Sequence, residues 1–160
     1  MFRKDSKGQL SLIAKYEKIL ATEPSSRIFA PLAEIYRKIG QIQKAINIIE
    51  KGLKHNSNYG LAYLCLANCY VENKQYDIAY KTLRPFIEQN LDNVSMQDIF
   101  GRICIILNKK DEALKCYKYL LFQFPQNKYY SKQVSELELK KFEMNDSSLT
   151  LNNKTESILN

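Results

Sequence analysis

The residues best suited to metal or nucleophilic chemistry are four cysteines and one histidine. Cys65 and Cys69 stand four apart, which places both thiols on one side of a helix. Such a pair can ligate a metal, but it needs further donors, and Cys104 and Cys116 fall in other segments. A Ser/His or Cys/His couple would have to use His55, which lies in the turn-like stretch KGLKHNSNYG. The five glycines are spread singly, so no phosphate-cradling loop is present. The acidic pair Asp111–Glu112 opens a helical pattern, where negative charge suits the helix dipole. The expectation is no catalysis, no metal and no cofactor. The thiols read as small buried side chains of a reducing compartment.

Composition bounds the class. With 45% hydrophobic and 26% charged residues, the 160-residue chain is an ordinary globular domain with room for a core. The N-terminal stretch MFRKDSKGQLSLIAKYEKIL has charges scattered through it and lacks a signal-peptide core. No apolar run approaches a membrane span. The expected address is therefore the cytoplasm. The net charge of +7 could attract nucleic acid, an acidic partner or a lipid surface, but the basic residues are spread out, as in KKDEALKCYK. That pattern suits a solvated helix face.

The elements that would carry any site recur. LAEIYRKIGQIQKAI begins at Leu32, LANCYVENKQYDIAY at Leu66 and FGRICIILNKKDEAL at Phe100, a spacing of 34 residues each time. Within a unit, Leu32, Ile35, Tyr36 and Ile39 follow helical spacing, and so do Ile42, Ala45, Ile46, Ile49 and Leu53. Gly40 between them is a helix stop. Each unit is thus a helix pair. Ala33, Ala67 and Gly101 share one position, and Ala45, Ala79 and Ala113 another. Small side chains there let the paired helices approach closely, while Leu32, Leu66, Phe100, Tyr36 and Tyr70 fill the surrounding space. One pair cannot bury its apolar face alone, so pairs must stack.

These positions resemble the tetratricopeptide repeat. The first unit supplies Phe29, Leu32, Ala33, Tyr36, Gly40, Ala45 and Ile49; the second Tyr63, Leu66, Ala67, Tyr70, Ala79 and Leu83; the third Phe100, Gly101, Ala113, Tyr117 and Pro125. The resemblance implies an all-α fold, a right-handed α-solenoid of antiparallel helix pairs. Its expected parts are an N-terminal capping helix in 1–25, three repeats at 26–59, 60–93 and 94–127, a C-terminal capping helix at 128–144 and a polar flexible tail at 145–160. Departures are local. Lys74 and Asn108 replace the turn glycine, Cys104 replaces a tyrosine, and Pro85 should bend or weaken the second helix of its unit.

In this family the first helix of each pair lines a concave groove. The matching positions are Arg27, Ala30, Glu34, Arg37 and Lys38; Leu61, Leu64, Asn68, Val71 and Glu72; and Ser95, Asp98, Arg102, Ile105 and Ile106. Partner binding is expected at Arg37, Lys38, Leu61, Leu64, Asn68, Val71, Arg102 and Ile105, with internal packing as the competing role for the apolar ones. The expected ligand is a protein or peptide, apolar with an acidic flank. Chaperone-binding members grip a terminal carboxylate with Lys, Asn and Arg at positions that here hold Ala30, Glu34, Cys65, Ser95 and Ile99, so that clamp is not implied. The resulting expectation is a non-catalytic adaptor. Alternatives are a secretion-type chaperone, though the acidic character of those proteins is absent, and a basic RNA-binding solenoid, disfavoured because the groove positions hold no aromatic residue.

Overall fold

The computed structural model describes residues 6–141, with side chains from Gly8 onward. The described residues contain eight helices and no strand. Seven are α1 (Ser6–Thr22), α2 (Phe29–Lys38), α3 (Ile42–Leu53), α4 (Gly60–Glu72), α5 (Tyr76–Leu83), α6 (Val94–Ile106) and α7 (Lys110–Gln123); the eighth, α8, spans 128–141. They form two compact units that divide between Asn90 and Leu91. The expected flexible tail at 145–160 lies outside the described residues.

In the first unit, α2 pairs with α3 and α4 with α5, while α1 packs on α2. Ala33, Ala45, Ala62, Ala67 and Ala79 have no solvent exposure, as close helix crossings require. Phe29, Leu32, Ile49 and Leu83 fill the space between them. Gly52 makes one approach that the repeat pattern did not single out. A Cβ added there would stand 2.2 Å from the Phe29 ring, so only glycine admits the ring against α3. A polar tie joins three helices at their edge: the Tyr36 hydroxyl donates to Glu17 (2.6 Å), and Lys44 donates to that hydroxyl (2.6 Å) and to Glu17 (3.2 Å).

All three repeat turns use one device. Gly40 N–H donates to the Arg37 carbonyl and Gln41 N–H to the Tyr36 carbonyl, closing the end of α2. Lys74 and Gln75 do the same to Val71 and Tyr70, and Asn108 and Lys109 to Ile105 and Cys104. The closing residue has φ of 81° at Gly40, 58° at Lys74 and 57° at Asn108. The left-handed turn therefore survives even where lysine must adopt it. Pro85 departs from its expected effect: it lies beyond α5, which ends at Leu83, so it follows the helix rather than bending it. The following residues run on as turns, with Phe86 N–H donating to the Leu83 carbonyl.

The second unit repeats the pairing in α6 and α7. Asn93 caps α6, its side chain accepting from the Met96 N–H (3.0 Å). A Cβ at Gly101 would stand 3.0 Å from the Tyr117 ring, tighter than ordinary packing, so α6 and α7 approach closely there. Tyr117 also meets α8 edge-on at Tyr129, with their hydroxyls 3.3 Å apart. Val134 and Leu137 bury the inner side of α8. Lys118–Glu138 (2.6 Å) and Lys141–Asp111 (2.7 Å) tie its outer side to α7.

Candidate binding faces

On α4, Leu61, Leu64, Asn68 and Val71 follow one stripe of the helix, as the sequence predicts from their spacing. Their exposures differ. Leu61 is 50% exposed, Asn68 and Val71 are partly buried, and Leu64 is only 9% exposed. Leu64 thus takes the packing role that competed with partner binding. The helix as a whole touches α2, α3 and α5 and is apolar on most of its circumference. Ala30 on α2 is buried for the same purpose. Among the described residues, the Asn68 side chain has no hydrogen-bond partner. Its amide carries two donors and an acceptor.

The cations of the same face are already engaged. The Arg37 guanidinium donates to both oxygens of Glu34 (2.8 and 2.6 Å) and also contacts the Glu72 carboxylate on α4. The hydrogen bond to Glu34 leads in raising the Arg37 pKa and in holding the Glu34 carboxyl below its ordinary range. Lys38 lies 3.4 Å from Glu34 and stays largely in solvent. The sequence offers Arg37 and Lys38 to acids on a partner. Within the unit Arg37 bridges two helices, and of the two cations Lys38 keeps a mostly exposed head. Glu34 and Glu72 are the residues that account for the difference.

The second unit presents its own apolar face. Ile105 is 37% and Ile106 52% exposed on α6. Arg102 on that helix pairs with Asp98 at 3.2 Å, while burial raises the Asp98 pKa against the pull of Arg102. Arg102 is thus a paired cation beside exposed isoleucines.

All four cysteines are buried free thiols. Hydrogen bonding with Cys69, burial and the Glu34 carboxylate push the Cys65 thiol up, so it holds its proton and is a poor nucleophile. No group of three or more metal-binding side chains occurs among the described residues. His55 lies exposed in the turn after α3. No helix among them is long and apolar enough to cross a membrane.

Comparison with known proteins agrees with this arrangement. A tetratricopeptide-repeat profile matches residues 27–59, and the profile of anaphase-promoting complex, cyclosome, subunit 3 matches residues 53–119. No curated protein matches the chain by sequence. Among solved structures, a crystal structure of MamA is similar at 20% identity and a TM-score of 0.73, over 87% of this chain and 82% of that one. YrrB, described as a tetratricopeptide-repeat protein with an unusual peptide-binding site, shares 20% identity at a TM-score of 0.72, over 84% of this chain and 70% of that one. The tetratricopeptide-repeat domain of Arabidopsis OM64 shares 20% identity at 0.63, over 73% and 97% respectively. These likenesses concern the fold. Together with the recurring small-residue crossings and left-handed turns, the two profiles, over residues 27–119, support a tetratricopeptide-repeat protein with an all-α solenoid fold.

Proposed function

We propose that the protein is a non-catalytic adaptor that binds a segment of another protein through the exposed faces of its first helices. The observation that carries this reading is the α4 face: half-exposed Leu61 stands on one stripe with the partnerless amide of Asn68 and with Val71. An extended segment can seat apolar side chains on such a stripe while the amide bonds to its backbone. Ile105 and Ile106 offer a second apolar contact on α6. The acids of the face are paired with cations of their own unit, which favours recognition over chemistry. Binding in the cytoplasm by an apolar segment with an acidic flank remains our reading of the partner, with Lys38 as the cation best exposed to meet that flank.

The test uses Leu61→Ser with Ile105→Ser, because Leu64 belongs to the packed interior. Partners captured by the wild-type protein are compared quantitatively with those captured by the double variant, and circular dichroism checks the fold. The expected result is unchanged helicity with capture reduced at least tenfold, since exposed anchors contribute about 1–2 kcal/mol each on burial. Undiminished capture by a folded variant would place binding elsewhere.

A further inference from the structure

A cavity of about 320 Å³ lies in the first unit, between the last turn of α1 and the last turns of α3. Its floor is apolar: Leu20 of α1, Phe29 of α2 and Ile48 of α3. Gly52 keeps this floor in place, because any side chain there would displace the Phe29 ring. Its rim carries Lys51, Lys54 and His55, all exposed, and no acidic side chain lines it. None of these three side chains has a hydrogen bond or ion pair among the described residues. That contrasts with Arg37, Lys44 and Arg102, each held by a carboxylate of its own unit. Glu50, next to Lys51 in sequence, engages the Tyr70 phenol on α4.

We propose that this cavity is a second recognition site, distinct from the first-helix faces, which takes one large apolar side chain of a protein segment flanked by acidic residues. Three observations converge on that occupant. The volume is at the lower end of ligand pockets, about 300–1,000 Å³, and suits an anchoring side chain better than a whole cofactor. The floor is hydrocarbon and aromatic, which rewards desolvation of an apolar anchor. The rim supplies unpaired positive charge, which favours carboxylates beside that anchor. Lys51, in the last turn of α3, and Lys54, just beyond it, both line the opening.

His55 is the sole histidine of the chain, so its imidazole Hε1 gives one assignable resonance reporting on the rim. The probe is an acetylated, amidated pentapeptide with one phenylalanine between two pairs of glutamates. In proton NMR it should shift the His55 signal saturably. Replacing the phenylalanine by alanine should weaken binding at least tenfold, and so should Lys51→Glu with Lys54→Glu; a milder Lys51→Gln, Lys54→Gln pair serves if the reversed charges perturb folding. Leu61→Ser with Ile105→Ser should leave the titration unchanged, which separates this site from the proposed adaptor face. The proposal is overturned by the absence of a saturable shift at millimolar peptide. Equal binding of the alanine peptide would overturn it too, by reducing the effect to bare charge. Dodecanoate is titrated in parallel. Saturation by dodecanoate without saturation by the peptide would assign the cavity to a fatty acyl carboxylate and overturn the protein partner.

Discussion

Single residues decide whether the helices can approach as they do. At Gly52, alanine has the better helix propensity by about 1 kcal/mol, yet its Cβ would enter the Phe29 ring at 2.2 Å. Overpacking of that kind costs about 1–3 kcal/mol, so Gly52→Ala should lower the melting temperature; a rise would mean the ring moves freely. Lys74 presents the opposite case. It holds φ of 58°, a conformation that costs a side-chain-bearing residue about 1 kcal/mol, so Lys74→Gly should stabilise the fold by a similar amount in chemical denaturation. Glu34 adds a pH dependence. Its folded-state pKa is lowered, chiefly by the Arg37 hydrogen bond, from an ordinary 4.5. Its contribution is therefore complete above that value and fades as pH falls through the lowered one. Glu34→Gln should flatten the loss of stability in that acid range relative to wild type; parallel pH–melting curves would sink the assignment. Legibility at this scale was uneven. The turn position of Lys74 followed from the repeat register, whereas Gly52 did not, because its constraint comes from a ring 23 residues earlier that no periodicity marks.

At the scale of helices, periodicity carried most of the information. The 34-residue spacing located both helices of each pair, because the small residues at the crossings are fixed by backbone approach rather than by side-chain preference. Ala79→Leu tests that logic directly. Ala79 is fully buried, and the added atoms should destabilise by about 1–3 kcal/mol in thermal melting, while an unchanged melt would place Ala79 outside the crossing. Exposure around a helix was less legible. The stripe Leu61, Leu64, Asn68, Val71 is correct as spacing, but exposure varies along it: Leu64 is buried while Leu61 stays open, on a helix with three helical neighbours in its own unit. A single sequence gives no measure of how many neighbours a helix has. Pro85 shows the same limit: its incompatibility with a helix interior was evident, but the chain resolves it by ending α5 early.

For the whole molecule, the formal charge of +7 invites an electrostatic account of binding, and the ion pairs argue for a more restricted one. Arg37, Lys38 and Arg102 lie near carboxylates of their own unit, so much of the positive charge on the first-helix faces is compensated locally. This pairing was invisible in composition, because it depends on Glu72 reaching Arg37 from another helix, 35 residues along the chain. It divides the effects of charge reversal. Arg37→Glu would set three carboxylates together and should lower stability before it alters recognition. Lys38→Glu removes an exposed cation and should leave the melting temperature nearly unchanged, because exposed pairs contribute about 0–1 kcal/mol. On the proposed adaptor face, Lys38→Glu should then slow association with a captured acidic-flanked partner several-fold at low salt and hardly change dissociation. Leu61→Ser should mainly speed dissociation, since anchors act after the encounter. Surface-binding kinetics over a range of salt concentrations separates the two effects. If Leu61→Ser alters only association, or Lys38→Glu only dissociation, the division between apolar anchor and charged rim on this face is wrong.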